Sequence, residues 1–433
     1  MEAGALRRRR LLLGFATSGL AKVMAVGVQL FALPLALHAL GTERYAGFLA
    51  LQSFLSWVGI FGFGLLYSLP KYIAAAHVEQ DEAAERSLVR AALLLMLLSC
   101  LALLLLMSAV GLMVPPGRLV AAGPSGPREE LVVAYFTAVA VNALQLFSSI
   151  QQPLRSGYQE NHHSNVCAAA ASILMALGLL YLSSHQDTIT AFILVLYMPI
   201  TLAFLGDIGL LFLQRPYLAL GHANMKAAFR KIAAPSGNAI AYQIQFALVL
   251  YLPTLVVAHL STPDQTAAFG SVLQLVVLGI SGLNLILHPL NAAMANAHSH
   301  GDYAWMERNH MRVFSLVLTV GVAAILLGGT IGPFVVRQWM GPSIHVSGPL
   351  VAGAAACFLG MAVIQLEFFL LSAMGALAGS GRGSMLLGLL ALLIGSLLCL
   401  RWGATGMAIG VASGMPLLAG WLFLRARRQL RAG

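Results

Sequence analysis

The chain has 433 residues, 59% of them hydrophobic and only 9% charged, with a formal net charge of +10 and a sequence pI near 9.8. A soluble domain carries about 25% charged residues, so there are too few charges here to cover a water-facing surface. With a mean hydropathy of +0.84 and repeated apolar runs of roughly 20 residues, the sequence reads as a polytopic helical membrane protein, and the unbroken runs exclude the alternating pattern of a barrel strand.

Apolar windows bounded by glycine, proline or charge predict about twelve spans, near 13–40, 46–68, 89–113, 131–152, 164–184, 189–213, 235–259, 266–289, 311–333, 349–372, 384–400 and 404–424. Arg7 to Arg10 before "LLLGF" imitate a signal peptide, but the apolar run is too long for a signal h-region and reads as an uncleaved first helix. The longest external loop, "PPGRLVAAGPSGPREE" at 115–130, leaves no room for a soluble catalytic domain, so no enzyme is expected. Basic residues, which were not used to draw the spans, divide unequally between the two sides. One side receives 19 of the 25, the other receives Arg44, Arg118, Arg128, Arg337 and Arg401, and Lys22 alone stays within a span. By the positive-inside rule the rich side is cytoplasmic, which places both termini there and makes the net charge a topology signal rather than a nucleic-acid footprint.

The chain also repeats. Pro34 and Pro70 bracket the first two spans, and Pro253 and Pro289 bracket spans seven and eight at the same separation of 219 residues. "LPLALHALGTERYAGFLALQS" faces "LPTLVVAHLSTPDQTAAFGSV", and "RSGYQENHHS" after span four lines up with "SAMGALAGSG" after span ten. A six-plus-six duplication gives two bundles of equal orientation, related by an axis along the membrane normal and enclosing a cleft whose access alternates. The expected domains are 1–214, a cytoplasmic linker at 215–234, and 235–433.

Several chemistries are missing. There is no P-loop for ATP hydrolysis, and neither "GIFGFG" at 59–64 nor "GALAGSGRG" at 375–383 meets a nucleotide fingerprint. Cys100, Cys167, Cys357 and Cys399 sit in apolar runs and read as core residues. His298, His300 and His310, read as a cytoplasmic loop without acidic or thiol partners, do not form a metal site.

The informative residues are the polar ones within spans, each costing roughly 2.5–3.5 kcal/mol near a helix centre unless paired or wetted. Lys22, Asp207 and Glu367 are ionisable. Gln29, Asn142, Gln145, Asn238, Gln243, Gln245, Gln274, Asn284 and Gln365 accompany them, and such groups should face the interface between halves. Lys22 lies roughly 9 Å to the cytoplasmic side of its span's centre. Three readings stay open for it: snorkelling to the headgroups, an ion pair with Asp207 or Glu367, or a cavity-lining cation for an anionic ligand. Gln243 and Gln245 stand about 200° apart on a helix, so at most one of them faces the cleft.

"LGTERYAGFLALQSFLSWVGIFGFGLLYSLPKYIA", residues 40–74, resembles the first helical hairpin of bacterial polysaccharide exporters, with Ala46 between the tyrosine and glycine of an L-G-x-x-x-Y-G-like turn. "LQLFSSIQQPLRSGYQENHHSN" is similar to that family's fourth span and following turn. The family, which includes O-antigen flippases, belongs to the multidrug/oligosaccharidyl-lipid/polysaccharide (MOP) superfamily. The resemblance implies an all-α membrane protein of two six-helix bundles, V-shaped around a central cavity. It also implies a flippase that moves an undecaprenyl-pyrophosphate-linked oligosaccharide across the bacterial inner membrane by alternating access. It needs no cofactor, draws on a proton or sodium gradient, and has membrane lipids, a polysaccharide polymerase and glycosyltransferases as partners.

A pyrophosphate requires a cationic, hydrated path, for which Lys22, Gln29, Gln145, Arg155, Gln243 and Arg382 are the cavity candidates, with Lys71 also at the cytoplasmic mouth. Asp207 and Glu367 are the candidates for coupling or gating. The alternative is a cation-coupled multidrug or small-molecule antiporter of the same superfamily. Such antiporters usually carry an aspartate in the first span, where this chain has no acid, while Asp207 and Glu367 keep that reading open.

Overall fold

The structure is a computed structural model that describes residues 2–66, 68–120, 128–183, 188–233, 236–377 and 379–432, excluding the side chains of 2–16, 20, 57–65, 128, 233, 236, 238, 239, 288, 292 and 432. The side chains of Arg7 to Arg10 and of Asn238, and residues 121–127 of the 115–130 loop, thus lie outside what the structure describes.

The described residues form α-helices and one 3₁₀ turn, with no strand among them. The first part of the chain gives α1 (Glu2–Leu65), α2 (Leu69–Val78), α3 (Glu82–Met113), α4 (Pro116–Leu119), α5 (Arg128–Ser148), α6 (Gln151–Gly157), α7 (Asn161–Ser183) and α8 (Ile189–Gln214). After the 3₁₀ turn Pro216–Leu218 come α9 (Met225–Ala233), α10 (Ser236–Leu250), α11 (Leu252–Leu260), α12 (Pro263–Ser299), α13 (Tyr303–Thr330), α14 (Gly332–Met340), α15 (Gly348–Ala373) and α16 (Ser380–Ala432). A helical chain is what hydrocarbon demands, since each backbone amide must find its partner within its own segment.

Among the described residues, ten helical stretches are long and apolar enough to cross a membrane. Two of them hold two arms each. α1 breaks at Gly41 (φ 71°, ψ 166°) and α16 at Gly403 (φ 58°, ψ −140°), conformations that only glycine adopts readily. Counted by arm, these stretches make twelve segments, the number of spans that hydropathy predicts. Exposed leucines run down the outer faces, among them Leu98, Leu105 and Leu106 on α3 and Leu326 and Leu327 on α13, as a lipid-facing surface requires.

Caps set where the helices begin. The carboxylate of Asp81 accepts from the Ala84 amide at 2.9 Å at the start of α3, and Asp302 accepts from Trp305 at 3.0 Å at the start of α13. The residues before them, Gln80 and Gly301, both have positive φ, and Gln159 before α7 is matched by Gly379 before α16. The turn chemistry therefore repeats along the chain at nearly the spacing of the proline pairs.

The described residues pack into two compact units. Those within Met1–Gly41, Val58–Leu119 and Pro124–Gln243 form the first; those within Thr42–Trp57, Val120–Gly123 and Ile244–Gly433 form the second. In the first unit α5 packs on α3 and α8, and α7 on α8. The Tyr135 hydroxyl donates to the Met107 carbonyl at 2.8 Å, with its ring over Gly111. In the second, α15 is enclosed by α12, α13 and α16. Gly353 and Gly360 of α15 admit Ala408 and Met415 of α16, and Gly321 of α13 admits Leu359, the small-residue packing expected where lipid gives no hydrophobic drive between helices. Residues 42–57 belong to this second unit, where Tyr45 hydrogen-bonds Ser271 at 3.0 Å and Leu49 lies against Gly270.

At Gly403 a Cβ would strike the Gln265 side chain, whose Oε1 accepts from the Ala404 amide at 3.0 Å. Gly403→Ala should therefore lower the thermal unfolding midpoint of the detergent-solubilised protein, costing about 1–3 kcal/mol. Gly420→Ala, with open space around it, should melt like the wild type.

Candidate functional site

The first unit holds a chain of buried ion pairs built from the motif "RSGYQENHHS" and the end of α8. Gln151 and Arg155 stand four residues apart on α6 and so share a face. That face meets Asp207 on α8. Arg155 donates from Nε to Asp207 Oδ2 at 2.8 Å and from Nη2 to Oδ1 at 2.6 Å, a two-point clamp, and Gln151 donates to the same carboxylate. The Arg155 side chain is 1% exposed and that of Asp207 3%. Ser164 on α7 donates to Gln151 Oε1 at 2.9 Å, and His163 Nδ1 lies 3.4 Å from Asp207.

The network continues outward. Arg155 Nη1 reaches Glu160 at 2.7 Å and Gln214 at 2.9 Å, and Arg215 pairs with Glu160 at 2.7 Å while its guanidinium lies over the Tyr158 ring at 4.1 Å. Burial alone would raise the Glu160 carboxyl, but the hydrogen bonds from Arg215 and Arg155 outweigh it and hold the group below the usual carboxylate range. The hydroxyls of Tyr158 and Tyr217 both donate to Glu85 Oε2, at 3.0 and 2.6 Å, and His77 meets Glu85 Oε1 at 2.9 Å. Burial and then the Glu85 charge raise the Tyr158 phenol, and burial with the Glu85 hydrogen bond pushes Tyr217 up to about 12, so both remain donors. Arg86 and Arg90 tie the next stretch down by donating to the carbonyls of Tyr217 and His222, and of Leu218 and Gly221.

The second unit holds one buried acid of another kind. Glu367 on α15 is 0% exposed and its Oε1 lies 2.9 Å from Nε2 of His310 on α13, itself 1% exposed. Glu367 Oε2 and His310 Nδ1 have no hydrogen-bond partner among the described residues. Phe314 and Phe423 flank the imidazole at centroid distances of 6.2 and 6.0 Å. His310 is thus not a loop residue: α13 begins at Tyr303, eight residues before the apolar window that predicts its span, because the Asp302 cap starts the helix early.

The remaining sequence candidates are dispersed. Lys22 is half-buried on α1 and makes no ion pair among the described residues; Asp207 and Glu367, its possible partners by sequence, are held by Arg155 and His310 instead. Gln29 and Arg382 are exposed, Gln145 and Gln243 half-buried. Gln245 is fully buried, with its amide 3.5 Å from the Met361 sulfur. An apolar recess lined by Val249, Phe269, Leu273, Cys357 and Val411 contains none of these candidates. No group of three or more metal-ligating side chains occurs among the described residues.

Neither a protein-family model nor a curated protein matches the sequence. Solved structures do match. An inward-facing multidrug resistance MATE family transporter of the MOP superfamily aligns over 98% of this chain and 98% of its own, with a TM-score of 0.73 at 14% identity. A MOP superfamily transporter from Pyrococcus furiosus, described as having a binding pocket of reversed polarity that suggests a different function, aligns over 97% and 96% with a TM-score of 0.67 at 15% identity. A mutant of the Vibrio cholerae MATE transporter VcmN aligns over 100% and 99%, with a TM-score of 0.68 at 11% identity. The chain has the fold of these transporters from end to end.

A buried carboxylate that loses its partner is an uncompensated charge, whereas a pair replaced by apolar groups is often neutral. Arg155→Ala should therefore destabilise the solubilised protein by about 3–5 kcal/mol in thermal unfolding, and the double variant Arg155→Met/Asp207→Leu should recover most of the loss. Equal melting of wild type and Arg155→Ala would show that the clamp carries no stability.

Proposed function

We propose that the chain is a cation-coupled membrane transporter of MATE fold that exports a small amphipathic molecule by alternating access, with the Glu367–His310 pair as its proton site. The observation that carries this is the pair itself. Asp207 has its carboxylate filled by Arg155 and Gln151, which suits a fixed structural charge. Glu367 has one oxygen on an imidazole and no partner for the other among the described residues, and it is fully buried six residues before the end of α15, where an ionisable group is costly unless it works. A carboxylate oxygen and an imidazole nitrogen 2.9 Å apart can share a proton between them. Likeness to MATE transporters over the whole chain supports the same reading.

A second reading, export of an undecaprenyl-pyrophosphate-linked oligosaccharide, is favoured by Lys22. It is the only ionisable residue of 13–37, a half-buried cation where an acid would repel a pyrophosphate. The match to a MOP transporter described as having a pocket of reversed polarity supports keeping this reading.

The test uses everted bacterial membrane vesicles energised to a proton gradient, with transport of a cationic dye followed by fluorescence. Wild-type vesicles should take up dye in a gradient-dependent way with a pH optimum, and Glu367→Gln should abolish that pH dependence. No dye transport, together with build-up of a lipid-linked glycan in a deletion strain, would transfer the assignment to the second reading.

A further inference from the structure

We infer that α9 is an anionic-lipid docking element that holds the segment between the two spans at residues 189–214 and 240–260 against the headgroups of one leaflet. The helix is fixed to the first unit at both ends. The amide of Asn224, just before it, donates to Ser87 Oγ at 3.0 Å, and Ser68 Oγ donates to the Ile232 carbonyl at 3.3 Å. Ser87 lies near the start of α3 and Ser68 just before α2, so both anchors stand at span ends on the side to which the positive-inside rule assigns the cytoplasm.

Its faces divide three ways. Ala228 and Ile232, four residues apart, are 5% and 0% exposed and form the side against the protein. Met225 and Phe229 form an adjoining apolar stripe that is left 41% and 44% exposed. Lys226 and Arg230 lie on the next stripe, away from the protein, and Lys231 on the opposite flank, all three exposed. None of the three bases has an acidic partner among the described residues. A short helix with an exposed Met–Phe stripe beside a Lys–Arg stripe, tethered at a span end, has the make-up of an interfacial element whose apolar side enters the headgroup boundary and whose cations meet lipid phosphates. α14, another short helix at a span end, exposes Phe334 and Val335 but carries only Arg337. The inference does not depend on which substrate is carried.

The protein is reconstituted in nanodiscs of equal phosphatidylglycerol and phosphatidylcholine, both faces being open so that insertion direction is immaterial, and the lipids retained on release are counted by native mass spectrometry. Wild type should retain phosphatidylglycerol over phosphatidylcholine, and Lys226→Gln/Arg230→Gln/Lys231→Gln should reduce that preference at least about fivefold. Arg308→Gln/Arg312→Gln, which removes two exposed arginines assigned to the same side, should leave it intact. A spin label at Phe229→Cys should be relaxed by oxygen more than by an aqueous nickel chelate. The inference is overturned by equal retention of both lipids in wild type, by the same loss in the arginine control, by displacement of the lipid with millimolar inorganic phosphate, or by a label reached mainly from water.

Discussion

A buried carboxylate needs its charge satisfied by hydrogen bonds, and the treatment of Asp207 and of Glu367 differs in how far it does so. Asp207 receives Arg155 in a two-point clamp with Gln151 beside it, which satisfies the charge and ties α6 to α8. Arg155 then carries the order outward through Glu160 to Arg215, and Glu85 gathers two tyrosines and a histidine from three more segments. The result is a densely bonded end to the first unit, to which Arg86, Arg90 and Ser87 tie the stretch leading to α9. Glu367 is enclosed just as deeply, with the His310 imidazole as its one hydrogen-bond partner among the described residues, and this is the site proposed to carry a proton.

The repeat and these charges belong to different layers of the sequence. Caps and positive-φ turns recur between the halves, as Asp81 with Asp302 and Gln159 with Gly379 illustrate. The polar clusters do not recur. Residues 219 positions away from Asp207 and Glu367 are Ala426 and Ser148, both fully buried and neither ionisable. One unit thus carries an arginine–aspartate clamp and the other a histidine–glutamate pair, as expected if lipid dictates the helices and function dictates the few charges among them.

That division also explains what could be read directly from the chain. Apolar runs reveal crossings because a bilayer sets their length, and the breaks at Gly41 and Gly403 fall in gaps between predicted spans. Asp207 and Glu367 stand out as acids in apolar surroundings. Their partners do not, because Arg155 is 52 residues from Asp207 and His310 57 from Glu367, and neither pairing follows from local periodicity. Arg155 looks like one more base at a span end, and His310 falls just outside the apolar window of its helix, though the Asp302 cap upstream marks the true start. Glu85 and Glu160, at helix starts or between helices, give no sign in the sequence of the tyrosines and arginines they collect.

The central claim is that Glu367, and not Asp207, exchanges a proton. Infrared difference spectroscopy of the reconstituted protein through a pH titration observes this directly. A carboxylic-acid stretch should rise on acidification, vanish in Glu367→Gln and persist in Arg155→Met/Asp207→Leu. A band that survives Glu367→Gln and disappears in the paired variant would contradict the account.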